Sequence, residues 1–149
     1  MLEPRTQAPT HAADLAGTWH NQHGSVMDLR VGGDGKITGR FKTGVGLSGC
    51  GEDFALTGFV EGDMIAFTVD FGARRSLTAW VGHACLEGGS ARIETLWQMV
   101  VAGPRSGGLP SWRGTWSGAD TFSRERSGAV APSGLRPSHP IDDPYLGTP

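Results

Sequence analysis

The chain has 149 residues, of which 38% are hydrophobic, and this is enough for one globular domain with a buried core. Its net charge of −2 leaves no basic footprint for nucleic acid, and no apolar run approaches the length of a membrane span. The 24 glycines and the modest charge are typical of short strands joined by tight turns.

The two ends of the chain differ in composition from the middle. Residues 1–14 are polar and contain two prolines, which predicts a flexible arm. Residues 126–149 contain five prolines and few apolar side chains, which predicts a disordered or extended tail. The folded part is therefore residues 15–125. The start lacks the apolar core of a signal peptide, so we expect that any such peptide has been removed.

Eight segments of strand character lie between these ends, with turn residues separating them. They are residues 15–21, 25–31, 36–43, 54–60, 64–71, 76–85, 91–101 and 113–123. Residues 91–101 also fit an amphipathic helix, but their Gly-rich flanks and neighbouring strands favour a strand. Eight antiparallel strands joined by short turns predict an all-β fold, an eight-stranded antiparallel up-and-down β-barrel. Such a barrel has no free edge, and its interior holds one small ligand.

The stretch GTWHNQHGS at 17–25 predicts a polar spot in that interior. In a regular strand Trp19, Asn21, His23 and Ser25 share one face. Small polar groups above an aromatic floor are how proteins build a polar spot inside an apolar cavity.

The cysteines and histidines show no pattern of a metal or catalytic site. Cys50 and Cys85 lack metal-ligand spacing, so they form either one disulfide or two free thiols. His20 and His23 point to opposite faces of a strand, and no Ser–His–Asp order or carboxylate pair stands out. The sequence therefore predicts no enzyme, no bound metal and no cofactor.

Four motifs follow one another at compatible spacing. They are GTWHNQHGS (17–25), TGRFKTGVG (38–46), SLTAW (76–80) with ARIETLW (91–97), and GADTF (118–122). Together they resemble the avidin–streptavidin family of biotin-binding barrels, over residues 15–124. The resemblance implies a bacterial avidin-like protein that binds biotin with high affinity in the barrel mouth, without catalysis. It also implies a homo-oligomer, and we expect a secreted or periplasmic location.

Several polar residues acquire roles from this resemblance. It implies that Asn21 and Ser25 donate hydrogen bonds to the ureido oxygen of biotin. Asp120 and Thr43 would each accept a hydrogen bond from a ureido N–H group. Ser76, together with the loop after Thr43, would hold the valerate carboxylate. The loop positions in the predicted site are Val45, Gly46 and Ser48.

The resemblance also implies apolar walls around the ligand. Trp80 and Trp97 match the aromatic box around the bicyclic ring, and Thr78 matches the residue that contacts the ring sulfur. Met99 shares the face of Trp97 and belongs to the same predicted wall. Trp112 falls where tetrameric members lend a tryptophan to the pocket of a neighbouring subunit.

Three positions depart from the family pattern. Phe41 stands where most members have a tyrosine whose hydroxyl is the third donor to the ureido oxygen. Phe71 stands where a third boxed tryptophan is usual. His23 occupies a usually apolar position and is a candidate to replace the missing donor. These departures favour, as an alternative, a lipocalin-like barrel with another small apolar ligand. A less favoured alternative is an enzyme that uses His23 with Asp120.

Indications of the oligomeric state point in two directions. Trp112 favours a tetramer or a dimer that shares pockets, whereas Cys50 lies in a loop that carries a cysteine in a disulfide-bearing dimeric subgroup. The usual partner position of that cysteine holds Arg74, so the resemblance does not imply a Cys50–Cys85 bridge. Dimer and tetramer both remain open at this point.

Overall fold

The computed structural model describes residues 12–44, 52–86, 90–102 and 115–126. The strands in these ranges are β1 (Gly17–Asn21), β2 (Val26–Val31), β3 (Lys36–Lys42), β4 (Asp53–Glu61), β5 (Met64–Asp70), β6 (Ser76–Cys85), β7 (Arg92–Val101) and β8 (Thr115–Ser123). Each strand pairs antiparallel with the next, and β8 pairs with β1 to close the barrel. The predicted fold class is confirmed, including a strand rather than a helix at β7.

Two short 3-10 turns, Ala12–Leu15 and Gly72–Arg74, are the helical segments of the described ranges. Neither is long and apolar enough to cross a membrane. The predicted arm up to residue 11 and the predicted tail from residue 127 lie outside the described residues, so both remain predictions.

The first strand begins later than predicted, because Leu15 belongs to a 3-10 turn. The Leu15 carbonyl accepts a hydrogen bond of 2.9 Å from the indole Nε1 of Trp19, and both side chains are fully buried. A strand could not bring a carbonyl back onto a side chain four residues later, whereas a helical turn does so naturally. The hydrogen bond from Trp19 to Leu15 therefore stabilises the 3-10 turn at Ala12–Leu15.

The stretch 17–25 is a hairpin and not one regular strand. β1 ends at Asn21, the chain turns through Gly24 with a φ of +80°, and β2 begins at Val26. The prediction that alternation along one strand places Asn21, His23 and Ser25 on a common face was therefore wrong. Asn21 and Ser25 are nevertheless both buried, because the hairpin returns the chain to the same interior.

Closure between β1 and β8 depends on few backbone pairs. Only His20 with Ser123 and Asn21 with Phe122 are in register there. Arg124 reinforces this seam, because its guanidinium donates hydrogen bonds to the carbonyl groups of Asp14, Ala16 and Thr18, at 2.6, 2.9 and 3.2 Å. Its Cζ also lies 3.9 Å from the centre of the Trp19 ring, a close cation–π contact.

Candidate ligand site

The carboxylate of Asp120 is the polar centre of the barrel interior. It lies on β8 and is only 3% exposed. Its Oδ2 accepts hydrogen bonds from Trp80 Nε1 at 2.9 Å and from Asn21 Nδ2 at 3.4 Å. Its Oδ1 accepts one from Gln22 Nε2 at 3.3 Å, and His23 Nε2 lies 3.7 Å away. The fold thus gathers N–H groups from β1, the following turn and β6 around one buried acid.

Burial raises the pKa of Asp120 above its ordinary value, because the charged form loses its water. The hydrogen bond from Trp80 lowers this pKa and opposes the burial effect, followed by the charge of His23 and then by Asn21 and Trp97. A buried carboxylate that faces several N–H groups is a strong acceptor of charge-assisted hydrogen bonds. The site can therefore receive an N–H group from a neutral ligand in a dry environment.

The hairpin that follows β1 positions the other polar groups. Asn21 Oδ1 accepts hydrogen bonds from the backbone N–H groups of His23 and Ser25, at 3.0 and 2.8 Å. An asparagine that bonds its own following backbone is a common device for fixing a turn. Ser25 Oγ in turn accepts a hydrogen bond from Gly44 N at 3.3 Å, which ties the hairpin to the end of β3. The hairpin thus fixes the side chain of Asn21 beside the carboxylate and ties the buried Ser25 to Asn21 and Gly44.

Aromatic rings form the walls above this polar centre. Trp80 stacks on Phe67, with ring centres 5.0 Å apart and planes 11° apart, and lies tilted against Phe41 at 5.2 Å. Phe41 meets Phe71 edge to face at 6.1 Å. Trp97 lies opposite Trp80 in the register of β6 and β7. Offset and edge-to-face contacts of this kind hold rings in fixed orientations.

The interior residues are arranged in layers along the barrel. Thr95 lies opposite Asp120 across β7 and β8, and Trp97 and Met99 follow toward the other end of β7. On β6 the inward residues after Trp80 are Thr78 and then Ser76. With a rise of about 3.4 Å per residue, Ser76 lies about 14 Å from Trp80 along the strand. Along these strands the interior therefore presents a polar layer at Asp120 and Thr95, an aromatic layer at Trp80 and Trp97, and a hydroxyl group at Ser76.

Thr78 carries a polar atom that the protein does not satisfy. The residue is fully buried, and its Oγ1 has no hydrogen-bond partner among the residues that the structure describes. Buried hydroxyl groups ordinarily find a partner, because leaving one unpaired costs about 1–3 kcal/mol. The Thr78 hydroxyl group is therefore available for a further hydrogen bond on the inner wall of the barrel.

The structure places most of the predicted site residues in the barrel interior. The buried ones are Asn21, Ser25, Phe41, Thr43, Phe71, Ser76, Thr78, Trp80, Trp97, Met99 and Asp120. His23 is half-buried, in the turn after β1. Val45, Gly46, Ser48 and Trp112 lie outside the described residues, so their roles remain predictions.

Sequence reasoning missed three residues of this site. Gln22 bridges to β8, because its Nε2 donates to the Ala119 carbonyl at 3.0 Å and its Oε1 accepts from Thr121 N at 2.9 Å. Phe67 stacks on Trp80, and Thr95 Oγ1 donates to the Asp120 carbonyl at 3.0 Å. The alternation of β5 was a signal for Phe67, whereas the turn position of Gln22 gives no such signal.

His23 lies beside the acceptor of the site. Its Nε2 approaches Asp120 Oδ1, and the backbone of the turn holds it there. The sequence had suggested that His23 replaces the hydroxyl group that Phe41 lacks and donates a hydrogen bond to the ureido oxygen. Its observed contact is with the carboxylate.

No metal-ligand cluster occurs among the described residues, where no three His, Cys, Asp or Glu side chains come together. Cys85 has a free thiol and is half-buried at the end of β6. Cys50 lies outside the described ranges.

Gly118 makes room for the Trp97 ring. A Cβ atom at position 118 would lie 2.4 Å from Trp97 Cζ2 and 2.6 Å from Cε2, far inside contact distance.

We expect Gly118→Ala to displace this ring and to cost about 1–3 kcal/mol in ligand binding, roughly tenfold or more in affinity. Titration calorimetry on the variant checks this. Gly33→Ala is the matched control, because a Cβ atom there meets nothing within 4 Å. Unchanged affinity in Gly118→Ala would show that the position of Trp97 is irrelevant to the ligand.

Comparison with known proteins agrees with this geometry. The profile of the avidin family matches residues 9–125. The crystal structure of a rhizavidin–biotin complex is similar to this chain with a TM-score of 0.64 and 29% sequence identity, covering 76% of this chain and 95% of that one. The avidin family is a non-enzymatic family of biotin-binding proteins. The chain belongs to the avidin family.

Proposed function

We propose that this barrel binds biotin tightly and without catalysis, with the bicyclic urea at Asp120 and the carboxylate tail toward Ser76. The observation that carries the proposal is the buried Asp120 carboxylate, which faces the aromatic walls and is surrounded by N–H groups. A carboxylate in such a place is costly unless it serves a polar partner. A cyclic urea is a neutral partner with N–H donors of the right kind.

The polar groups of the cavity match the needs of a urea. Asp120 and Thr43 supply acceptors for its two N–H groups, and Asn21 and Ser25 supply donors for its oxygen. The Oδ1 atom of Asn21 is fixed by two backbone N–H groups, and its Nδ2 makes only a long contact of 3.4 Å with Asp120, so this N–H group is oriented and weakly engaged. The unpaired hydroxyl group of Thr78 lies next along the wall, at the level proposed for the sulfur.

The layered arrangement favours a ligand that is elongated and polar at both ends. A compact apolar ligand would fill the aromatic layer and leave the carboxylate layer and Ser76 without partners. The lipocalin-like alternative therefore explains Phe41 and Phe71, which add apolar surface, but not Asp120. It remains the second candidate, and binding measurements with biotin and a fatty acid separate the two.

Titration calorimetry of the purified protein with biotin tests the proposal. We expect one biotin per chain and tight binding. A medium-chain fatty acid, which has the carboxylate and the apolar chain but no urea, is the matched control and should bind weakly. Tight binding of the fatty acid and none of biotin would favour the lipocalin-like alternative. Mass spectrometry of the recovered ligand should show unchanged biotin, whereas a modified product would support the enzyme alternative.

We also propose that the protein is a homo-oligomer, assembled through the outer face of β4 to β8. Support comes from an apolar row that crosses these strands in register: Phe59, Ala66, Val81, Leu96 and Ala119. Phe59, Val81 and Leu96 are 61–66% exposed. The outer face of β2 and β3 instead carries exposed charges. A contiguous exposed apolar surface of this kind is typical of a protein–protein interface.

Leu96→Glu tests this interface, because it introduces a charge at the most exposed large side chain of the apolar row. Light scattering after size exclusion should give the wild type a mass two or four times 15.7 kDa and the variant a lower one. Thr38→Glu, on the exposed outer face of β3, is the control and should keep the wild-type mass. A monomeric wild type would contradict the oligomer, and an unchanged Leu96→Glu assembly would contradict the face.

A secreted or periplasmic location is proposed from the resemblance alone. Fractionation of the producing cells, followed by immunodetection, tests it. Recovery of the protein in the cytoplasmic fraction alone would contradict this proposal and leave the ligand proposal intact.

A further inference from the structure

The side-chain amide of Gln22 takes the place of a strand where β1 turns away from β8. The backbone register between these strands ends with the pair of Asn21 and Phe122, and Gln22 already belongs to the turn. Gln22 Nε2 donates a hydrogen bond to the Ala119 carbonyl at 3.0 Å, and its Oε1 accepts one from Thr121 N at 2.9 Å. A primary amide offers an acceptor and N–H donors on one planar group, so it pairs with a strand as a peptide unit does.

The two backbone groups that Gln22 engages flank the acceptor of the proposed site. In an antiparallel strand the N–H and C=O groups of alternate residues point to the same neighbour, so Ala119 and Thr121 face β1 together, with Asp120 between them. From β7, Thr95 Oγ1 donates a hydrogen bond to the Asp120 carbonyl at 3.0 Å. The backbone segment that carries the carboxylate is therefore held by side chains on both of its sides.

The same amide also lies against the carboxylate itself. Gln22 Nε2 is 3.3 Å from Asp120 Oδ1, and the Asp120 side chain is only 2% exposed, whereas Gln22 as a whole is exposed. The amide therefore stands between the solvent and the carboxylate at this point. Without it, the Ala119 carbonyl and the Thr121 N–H group would take up water, because backbone groups in folded proteins rarely stay unpaired. Water at that place would compete with the N–H group of a ligand for Asp120.

We propose that Gln22 is a positioning residue for the ligand, which holds Asp120 in place, keeps water away from it and thereby slows ligand release. This inference rests on the proposed function, since it concerns the same carboxylate. Gln22 acts through Asp120 and needs no contact with the ligand. Its effect therefore lies in the dissociation rate, whereas the association rate, which depends on diffusion into the barrel, stays nearly unchanged.

Gln22→Met tests this role, because methionine has nearly the shape of glutamine but lacks its amide. We expect biotin affinity to fall about tenfold, mostly through faster release, which displacement of a labelled biotin measures. Gln22→Asn keeps a polar side chain in the turn but is too short to span to β8. It should lose about threefold or more, so a folding defect in the methionine variant does not decide the result. Asp34→Ala is the matched control, because it removes a side-chain bond to the backbone, from Lys36 N at 3.1 Å, in the turn between β2 and β3, and it should leave both rates unchanged.

A double-mutant cycle separates positioning from a purely structural role, because residues that act as a unit have non-additive effects. In the Asp120→Ala background, Gln22→Met should change biotin affinity by about twofold or less, since the group that it positions is gone. A general structural defect would cost the same factor in both backgrounds. Equal losses in the two backgrounds, or an unchanged dissociation rate in Gln22→Met, would overturn the inference and leave biotin binding intact. Absence of biotin binding by the wild type would instead overturn the proposed function, and this inference with it.

Discussion

Asp120→Ala is expected to weaken biotin binding by about 10²–10³-fold. The substitution removes the acceptor for a ureido N–H, and this N–H group is then left unpaired when the ligand is buried. A hydrogen bond to a charged group contributes about 1.5–3 kcal/mol, and each buried group left unpaired costs about 1–3 kcal/mol. Titration calorimetry, or competition with a labelled ligand, measures the loss.

Two further variants make this result specific. Asp28→Ala removes an exposed outer carboxylate that accepts a hydrogen bond from Thr18, and it should leave biotin affinity unchanged. Asp120→Asn keeps a carbonyl acceptor but loses the charge, so we expect an intermediate loss of about tenfold. Equal affinities of Asp120→Ala and Asp28→Ala would show that the site lies elsewhere. A full loss in Asp120→Asn would show that the charge, and not the acceptor, is essential.

Trp19→Ala is expected to lower the free energy of unfolding by about 3–5 kcal/mol, the usual cost of emptying a buried aromatic position. Trp19 is fully buried, bonds the Leu15 carbonyl and supports the guanidinium of Arg124. Its loss therefore affects the 3-10 turn and the short seam between β1 and β8 together. Urea denaturation followed by circular dichroism measures the change.

The contacts of Trp19 can be separated by milder changes. Trp19→Phe keeps an aromatic ring but loses the indole N–H. Arg124→Ala keeps the Trp19 ring but loses the hydrogen bonds to three backbone carbonyl groups. Each should cost about 1–2 kcal/mol. Lys36→Ala, an exposed residue at the start of β3, is the control and should change stability by less than about 0.5 kcal/mol. A stability loss under 1 kcal/mol in Trp19→Ala would show that this end of the barrel does not depend on the ring.

The fold was predictable because its signals are local. Alternation of apolar and polar residues, as along β5 and β6, assigns each strand and its inner face without reference to the rest of the chain. Short turns between consecutive strands leave antiparallel neighbours as the natural arrangement, and closure removes the free edges. Strand ends were harder to predict, because they depend on contacts with other residues. Leu15 adopts a 3-10 turn because its carbonyl bonds the Trp19 indole, and the residue type at position 15 does not indicate this contact.

The residue types of the candidate site were readable from motifs, but the contacts between them were not. The sequence by itself determined the alternation that makes Trp80, Trp97 and Asp120 inward residues of their strands. Only the tertiary structure brought Asp120 to Asn21 and Trp80, which lie 99 and 40 residues away along the chain. It also placed His23 on the carboxylate through a hairpin, where a regular strand had been predicted. The physical reason is that alternation fixes a side chain's face, whereas its partners depend on strand register, barrel closure and the geometry of each turn.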